Sequence, residues 1–394
     1  MFERKELPTL LKRLKESRHF IQVIVGPRQV GKTTMIRQLI PKLEVPVYFS
    51  SADDIVAADR AWLRSIWEAA RQRLKINAAT EGILIIDEIQ KINNWSETVK
   101  AEWDRDTFEN IPLKVVLLGS ARLRIQQGLS ESLAGRFEVI PMLQWSFQEM
   151  EDAFDYSAEQ YVWFGGYPGS AVVHQDEERW KDYMRDSIIE TTLSRDILML
   201  SRIEKPALLR RLLELGSVCS GQILSYTKIL GQLQDSGNMA TLAHYHNLLD
   251  TAGLLGGLQN FHQHIARSKA SLPKWQVYDP SLLSAQSNSA FQTIRHQPDK
   301  WGQWVENAVG AHLLHALAKR DCQLWYWRDR NQEVDFVIER NGKVIGIEVK
   351  SNQTAMTKGM ETFSEMYKPH KVILVGERGL PLEEFLKINV PDLF

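Results

Sequence analysis

Short apolar runs alternate with longer amphipathic stretches in the amino-terminal part of the chain. Four of these runs have the length of a buried strand: Val23–Val25, Val47–Phe49, Ile83–Ile86 and Val115–Leu118. The stretches between them have the spacing of helices, and such alternation predicts a parallel sheet with helices on both faces. We therefore expect an α/β domain over residues 1–153.

The pattern changes after this first region. Residues 154–205 are charged and have helical spacing, and the sequence FGGYPGS interrupts them, which indicates a helical connector. Residues 206–275 contain two short amphipathic helices and an apolar strand, and residues 276–394 return to an α/β pattern. The chain is thus expected to contain four regions.

The composition excludes several classes of protein. No apolar run is long enough to cross a bilayer, and the charged amino terminus lacks the apolar core of a secretory signal, so we expect a cytoplasmic protein without a membrane span. Cys219 and Cys322 have no metal-binding spacing. Because the net charge is only −1, any binding of nucleic acid must come from local basic patches.

A Walker A pattern, GxxxxGKT, follows the first apolar run and precedes an amphipathic helix. The backbone N–H groups of such a loop surround phosphates, and the helix N-terminus adds the positive end of its dipole. Lys32 is expected to reach the β- and γ-phosphates, and Thr33 to bind Mg²⁺. We therefore assign the binding of ATP, or another nucleoside triphosphate, to Gly26, Pro27, Arg28, Gln29, Val30, Gly31, Lys32, Thr33 and Thr34.

The third apolar run ends in two carboxylates, in the sequence ILIIDEIQ, which has the form of a Walker B motif. Asp87 is expected to hold the hydration shell of Mg²⁺, and Glu88 to orient or deprotonate the attacking water. The fourth run leads to Ser120, where a sensor of the γ-phosphate is expected; a serine that merely caps the strand is the alternative. The acidic residue after Asp87 indicates hydrolysis rather than nucleotide sensing alone.

These motifs together resemble those of AAA-type ATPases. The segment LAGRFEVI is similar to the one that carries the arginine finger in that family, which implies this role for Arg136. A finger acts on the nucleotide of a neighbouring subunit, so the resemblance implies a ring-shaped homo-oligomer, with a hexamer favoured. The alternative is a surface arginine without a role in catalysis.

Residues 206–275 have the element order of a winged helix-turn-helix. Tyr226–Leu233 is predicted to be the supporting helix and Met239–Leu249 the recognition helix, which buries Leu242, Tyr245, Leu248 and Leu249. Thr241, His244 and His246 are expected on or near its exposed side. Because this helix has no Lys or Arg, three roles stay open: reading a DNA sequence, contacting DNA without specificity, or a purely structural role.

The carboxyl-terminal region contains a predicted β-hairpin. Two β-rich runs meet at Asn341-Gly342, which is a strong signal for a two-residue turn. Such a turn places Asp335 directly opposite Glu348, and Glu333 opposite Lys350. Two carboxylates held about 5 Å apart repel each other, and a divalent cation between them would remove the repulsion.

These charged residues resemble the core of PD-(D/E)XK nucleases. Asp335, Glu348 and the helix-borne Glu306 are the candidate ligands of a second Mg²⁺ or Mn²⁺, and Lys350 is the candidate group that activates the attacking water. The sequence departs from the pattern at Val334, where the motif has proline. An alternating surface strand, with Glu333 and Lys350 as an exposed ion pair, is the alternative, and such folds also persist after their chemistry is lost.

Over nearly its whole length the chain resembles a prokaryotic family of AAA-type ATPases with a carboxyl-terminal domain of unknown function. The resemblance implies an AAA domain (1–153), a helical connector (154–205), a winged helix (206–275) and a restriction-endonuclease-like α/β domain (276–394). The leading hypothesis is an ATP-hydrolysing protein that remodels, moves along or processes duplex or branched DNA. One alternative is a branch-migration motor whose nuclease-like domain only holds DNA. The other is a nucleotide-dependent switch that recruits protein partners.

Overall fold

The chain divides into two compact structural units, Met1–Leu143 and Gln144–Phe394. The computed structural model of the chain describes residues 2–53, 59–120, 125, 128–129, 132–198, 203–233, 238–262, 271–317, 322–350 and 357–394. The finer division into four regions stays a prediction.

A five-stranded sheet forms the centre of the amino-terminal unit. Its strands are β1 (Ile21–Val25), β2 (Val47–Ser51), β3 (Gly82–Asp87), β4 (Leu113–Gly119) and β5 (Phe137–Pro141). The helices that the structure describes in this unit are α1 (Glu6–Lys15), α2 (Lys32–Leu39), α3 (Arg60–Ile76) and α4 (Trp95–Phe108), with short 3₁₀ turns at Ile40–Lys42 and Ile89–Lys91. The strand order is β2–β3–β4–β1–β5, and every neighbouring pair is parallel.

Burial explains why the apolar runs form the inner strands of this sheet. Every residue of β1, β3 and β4 is buried, so both faces of these strands are covered, as continuous apolar runs require. The predicted parallel α/β sheet is therefore confirmed. The chain leaves β1 towards one edge of the sheet and leaves the adjacent β4 towards the other. In open parallel sheets, ligands bind at the carboxyl ends of the strands where the direction reverses in this way.

The carboxyl-terminal unit begins with a helical segment. It contains α5 (Phe147–Phe154), α6 (Ala158–Phe164), α7 (Pro168–Ala171) and α8 (Glu177–Asp182), followed by π-helical stretches at Tyr183–Glu190 and Thr192–Leu198. Capping boxes at Ser146 and Ser157 begin the first two of these helices.

The sequence FGGYPGS has a packing role in this segment. A β-carbon on Gly165 would lie 1.9 Å from Oδ1 of Asp279, and the backbone φ of Gly165 is +68°. The N–H of Gly166 donates to Oδ2 of the same fully buried aspartate at 2.8 Å. The glycine pair therefore lets the backbone approach Asp279 closely, which joins the helical segment to the residues that follow β7.

Three helices and a two-stranded ribbon come next. They are α9 (Pro206–Val218), α10 (Tyr226–Gln232), α11 (Met239–Thr251), β6 (Leu255–Asn260) and β7 (Lys274–Val277). The strands β6 and β7 are antiparallel, and Ile223 forms an antiparallel bridge with Lys274. The winged helix expected for residues 206–275 stays a prediction.

His246 departs from its expected position on α11. The four residues predicted to be buried on this helix are buried, but His246 is buried as well. Its ring stacks on Trp275 with the centroids 4.3 Å apart, and Tyr226 Oη lies 2.7 Å from its Nδ1. The expectation that His246 faces solvent is wrong because an aromatic residue of β7 covers that side of the helix.

A mixed six-stranded sheet forms the rest of this unit. The elements are α12 (Pro280–Gln286), α13 (Phe291–Arg295), α14 (Pro298–Ala316), β8 (Gln323–Asp329), β9 (Gln332–Arg340), β10 (Lys343–Val349), α15 (Lys358–Tyr367), β11 (Lys371–Val375), α16 (Leu382–Lys387) and a 3₁₀ turn at Val390–Leu393. The strand order is β11–β10–β9–β8–β6–β7. Because β6 pairs in parallel with β8, the ribbon β6–β7 is part of the same sheet as the later strands.

The predicted hairpin register is confirmed. The strands β9 and β10 pair from Arg340–Lys343 to Phe336–Ile347. The turn residues Asn341 and Gly342 have positive φ values of 51° and 78°, as a two-residue type I′ turn requires.

Both cysteines are free thiols inside the carboxyl-terminal unit. Burial raises the pKa of the Cys219 thiol, which keeps it in the less reactive neutral form. Among the described residues, no helix is both long enough and apolar enough to span a bilayer.

The buried ring of His246 predicts that the protein loses stability in acid. Burial lowers the pKa of His246 from 6.5 to about 4, so the unfolded chain binds a proton here before the folded chain does. Stability therefore falls as the pH decreases from 6.5 towards 4, by about 2 kcal/mol between pH 7 and pH 5. His246→Phe keeps an aromatic ring against Trp275 but cannot titrate. In urea unfolding at the two pH values, the variant should lose about 2 kcal/mol less than the wild type, and equal losses would contradict this account.

Candidate functional site

The loop between β1 and α2 is shaped by its glycines. A β-carbon on Gly26 would lie 1.7 Å from the carbonyl oxygen of Met142, so only glycine fits where the loop passes the end of β5. Gln29 and Gly31 have positive φ values of 62° and 92°, and Gly31 directly precedes the first residue of α2. Such a curved loop at the start of a helix is the backbone form that cradles a phosphate group.

Lys32 lies at the first position of α2 and is buried. Its Nζ donates to the carbonyl oxygens of Gly26 at 2.9 Å and Pro27 at 2.6 Å. The ammonium group is thus held against the loop itself. A phosphate oxygen is a stronger, charged acceptor for the same group than a carbonyl oxygen is.

Thr33 and Asp87 meet across the sheet. Thr33 Oγ1 donates to Asp87 Oδ2 at 2.8 Å, and the backbone N–H of Glu88 donates to Asp87 Oδ1 at 2.9 Å. Burial raises the pKa of Asp87, the hydrogen bond from Thr33 opposes this shift, and the charge of Glu88 adds to it. The structure therefore brings together the hydroxyl and carboxylate oxygens expected to hold Mg²⁺, and a cation beside them would favour the charged carboxylate.

Glu88 is held by residues at the ends of two strands. Ser120, directly after β4, donates to Glu88 Oε2 at 3.1 Å. Gln90 Nε2 donates to the same carboxylate and to Ser120 Oγ. The backbone of Glu88 has a φ of 53°, in the left-handed region, which costs a non-glycine residue on the order of 1 kcal/mol. Sequence reasoning missed Gln90, although it lies only two residues after Glu88.

Arg136 lies at the amino ends of the strands, whereas the phosphate loop lies at their carboxyl ends. It precedes β5, whose first residue pairs with Ile21 at the start of β1. The loop follows the other end of β1, about 16 Å away for a strand of this length. The guanidinium group donates to both carboxylate oxygens of Asp104, at 2.7 and 3.1 Å. Arg136 is therefore beyond reach of the loop of its own subunit.

The acidic residues of the carboxyl-terminal unit surround Lys274, which sequence reasoning missed. This side chain is fully buried, and its Nζ lies 2.7 Å from Glu306 Oε1 and 3.4 Å from Glu333 Oε1. It also lies 3.6 Å from Asp335 Oδ1 and donates to the backbone carbonyl of Asp335 at 3.1 Å. Burial lowers the pKa of Lys274, but the charges of the three carboxylates outweigh it and raise the pKa overall. Strand β7 thus places an ammonium ion among carboxylates of α14 and β9.

Asp335 and Glu348 make polar contacts with different groups. Asp335 Oδ2 accepts the backbone N–H of Val349 at 2.8 Å, and Lys350 Nζ lies 3.4 Å from Glu348 Oε1. Burial, followed by the charge of Asp335, raises the pKa of Glu348 to about 8. The charge of Lys350 opposes this shift, so its ammonium group partly offsets the repulsion between the two carboxylates. The ion pair considered between Glu333 and Lys350 does not form. Glu333 contacts Lys274, and Lys350 contacts Glu348.

A second metal ion does not fit this arrangement. Of its three expected ligands, Glu306 and Asp335 contact the ammonium of Lys274, and Glu348 pairs with Lys350. In the part of the chain that the structure describes, no group of three or more His, Cys, Asp or Glu residues is arranged to hold a metal. The structure does not support the expected Mg²⁺ or Mn²⁺ here, because Lys274 already supplies a positive charge.

Three family models match consecutive parts of the chain. Residues 18–151, which contain the loop, the two carboxylates and Ser120, match a model described as an AAA domain. This part of the chain is therefore similar to an AAA domain, and it has the parallel sheet and phosphate loop of a P-loop ATPase fold. Residues 156–292 and 301–392 match two domains of unknown function, DUF8612 and DUF4143. Proteins with an AAA domain generally use ATP and Mg²⁺, and the residues at the carboxyl ends of β1 and β3 fit both.

Two uncharacterised mycobacterial proteins resemble the chain over most of its length. One is from Mycobacterium bovis and the other from Mycobacterium tuberculosis; each is 27% identical over 391 residues, a match that covers 98% of this chain and 82% of the relative. The similarity therefore extends beyond the AAA domain into the carboxyl-terminal unit.

Two solved structures are similar at a lower level. The Walker-type ATPase of Pyrococcus abyssi has a TM-score of 0.46 and 15% identity, over 73% of this chain and 96% of its own. The RuvB Holliday junction branch migration motor of Thermotoga maritima has a TM-score of 0.33 and 16% identity, over 64% of this chain and 87% of its own. The assignment of the AAA domain rests on the family match and the five-stranded sheet, not on these structures.

Two substitutions separate nucleotide binding from turnover in the AAA domain. Lys32→Ala removes the ammonium group that a phosphate would bind, so binding of a fluorescent ATP analogue should be lost. Glu88→Gln keeps the shape of the side chain but cannot accept a proton, so binding should persist while ATP turnover falls by about 10²-fold or more.

The exposed Glu97 of α4 provides a matched control for the second variant. Glu97→Gln makes the same chemical change away from the site and should leave the ATPase rate unchanged. An ATPase rate in Glu88→Gln equal to that of the control would refute the assignment of Glu88.

Proposed function

We propose that this protein is an ATP-hydrolysing, oligomeric AAA-type protein that acts on DNA, and that its carboxyl-terminal unit holds DNA without cutting it. The observation that carries the hydrolase part is the hydrogen bond between Thr33 and Asp87, with Glu88 and Ser120 joined beside it. Three strands contribute to this cluster, and each group has the chemistry that one step of ATP hydrolysis requires.

The roles follow from the contacts at the carboxyl ends of these strands. The loop backbone and Lys32 bind the β- and γ-phosphates, and Thr33 and Asp87 hold Mg²⁺. The bound ion supplies positive charge to the phosphate oxygens. Glu88 accepts a proton from the attacking water, while Ser120 and Gln90 fix the direction of its carboxylate.

The position of Arg136 supports a role in a neighbouring active site. It lies at the amino ends of the strands, out of reach of the phosphate loop of its own subunit. Its ion pair with Asp104 is partly exposed, so it contributes at most about 1 kcal/mol to stability. At the same end, Ile76 and Phe108 end their helices with side chains 80% and 88% exposed. Exposed apolar residues at the same end of the sheet as a partly exposed arginine are a suitable surface for a second subunit. The resemblance to AAA-type ATPases favours a hexamer.

A mixing experiment tests this shared site. Arg136→Ala and Asp87→Ala should each abolish most ATPase activity. In an equal mixture, about a quarter of the interfaces pair an intact Asp87 with an intact Arg136 from the neighbour, so about a quarter of the activity should return. Mixing Arg136→Ala with the double variant Arg136→Ala/Asp87→Ala should restore none. A mixture that stays inactive, although mass measurements show mixed oligomers, would exclude a finger that acts in trans.

Two features of the carboxyl-terminal unit support the DNA part of the proposal. The first is the arrangement of α9, α10, α11 and the ribbon β6–β7, which has the element order of a winged helix, including the short bridge at Ile223. In such folds the third helix or the ribbon contacts nucleic acid.

The second feature is a basic rim at one end of the six-stranded sheet. It consists of Arg328 near the end of β8, Arg330 in the β8–β9 turn, Lys350 after β10 and Lys358 at the start of α15. Arg328 pairs across the sheet with Glu333, and the start of α15 packs on the backbone of Glu333, so these groups lie around the acidic centre. Side chains of this charge attract a phosphate backbone.

The contacts of Lys274 favour holding over cutting. The acidic centre already contains a positive charge that binds Glu306, Glu333 and Asp335. Phosphodiester cleavage in nuclease-like sites depends on a metal ion that these carboxylates would have to bind. We therefore favour an ATP-driven motor or remodelling protein whose nuclease-like domain grips duplex or branched DNA.

Labelled duplex and four-way-junction DNA, incubated with ATP and Mg²⁺, test the DNA part. We expect binding at low salt that weakens steeply as salt is added, and no cleavage. Arg328→Ala/Arg330→Ala should weaken binding and reduce the salt dependence by about two charges. Lys343→Ala/Lys371→Ala, which removes two charges from the opposite end of the sheet, should change neither.

Two results would overturn this part of the proposal. Undetectable binding at low salt would favour the nucleotide-dependent switch that recruits protein partners. Cleavage that Asp335→Ala abolishes would show that the nuclease-like domain cuts DNA after all.

A further inference from the structure

The ammonium group of Lys274 contacts three oxygen atoms within 3.5 Å. It donates hydrogen bonds to Glu333 Oε1 and to the backbone carbonyl of Asp335, and it forms an ion pair with Glu306 Oε1 at 2.7 Å. The carboxylate of Asp335 adds a fourth contact, the third from a carboxylate, at 3.6 Å. Oxygen atoms from both α14 and β9 therefore contact the nitrogen.

The rest of the side chain is also fixed. Lys274 has no exposed surface, and its Nζ lies 5.0 Å from the centroid of the Phe336 ring, within the range of a cation–π contact. Its backbone pairs with Leu258 of β6 and bridges to Ile223. A lysine enclosed in this way cannot turn out to solvent unless β7 itself moves.

A divalent cation and this ammonium group cannot share the carboxylates. Mg²⁺ binds oxygen at about 2.1 Å, so an ion held by Glu306 and Asp335 would come into direct contact with Nζ, another positive charge. Asp335 has also committed its second oxygen to the N–H of Val349. Entry of a metal therefore requires the removal of Lys274.

We infer that Lys274 is a built-in cation that replaces the divalent metal in the acidic centre, so that Glu306, Glu333 and Asp335 form a latent metal site that lysine keeps closed. The inference needs neither ATP hydrolysis nor DNA binding. It implies that this centre serves to fasten β7 to α14 and β9, since one side chain bonds to both elements.

Substitution of the lysine should open the site. Every chain in the experiment carries Asp87→Ala and is free of nucleotide, which removes the Mg²⁺ ligand of the AAA domain from the measurement. With Lys274 present, electron paramagnetic resonance of added Mn²⁺ should detect no site that depends on Asp335. Lys274→Met, which keeps the length of the side chain without its charge, should bind one more Mn²⁺ per chain. Its unfolding temperature should rise with Mn²⁺ concentration, because the ion binds only the folded form.

Two controls locate the ion. Lys274→Met/Asp335→Asn should lose the added Mn²⁺, and Asp335→Asn alone should bind as much as the chain with Lys274. A folded Lys274→Met chain that binds no additional Mn²⁺ would overturn the inference. If Lys274→Met and the more polar Lys274→Gln both fail to fold, the chain with Lys274 is compared with Asp335→Asn. Mn²⁺ that the chain with Lys274 binds and Asp335→Asn does not bind would overturn the inference. Equal binding of Mn²⁺ by the two chains supports it.

Discussion

The parallel direction of β1, β3 and β4 is the constraint on which the nucleotide site depends. The phosphate loop, the Asp87–Glu88 pair and Ser120 each follow the carboxyl end of one of these strands. Because the strands are adjacent and parallel, their carboxyl ends lie side by side at one end of the sheet. Residues far apart in sequence therefore come within hydrogen-bonding distance. If β3 were antiparallel to its neighbours, Asp87 would lie at the opposite end of the strands, about 20 Å from the loop.

Local patterns were sufficient to predict much of this molecule. The loop from Gly26 to Thr34 has a backbone form that its glycines and flanking elements determine, and the buried strands are continuous apolar runs. The hairpin at Asn341-Gly342 was predictable for a similar reason, since the turn residues set the register of both strands. In these cases the decisive interactions lie within a few residues of one another or follow the period of a strand.

The features that sequence reasoning missed are long-range. A pair of opposed carboxylates indicates that something positive is near, but not whether it is a metal, a proton or a lysine. Lys274 comes from a strand about 60 residues before Asp335, and only the pairing of β6 with β8 brings it into the sheet of β9. A lysine within the apolar sequence LPKWQV was the available signal. His246 was misplaced for the same reason, because a residue of β7 covers it.

Strand β7 has a consequence for how this protein tolerates change. Its consecutive residues Lys274 and Trp275 face opposite sides, one towards the carboxylates and the other towards His246 of α11. A slip of β7 by one residue would exchange these faces, so that an indole entered the acidic centre and an ammonium group entered the aromatic cluster. The residues on both sides of β7 therefore favour a single register of this strand. Insertions or deletions within β7 should therefore be rejected in evolution far more strictly than substitutions on its neighbours.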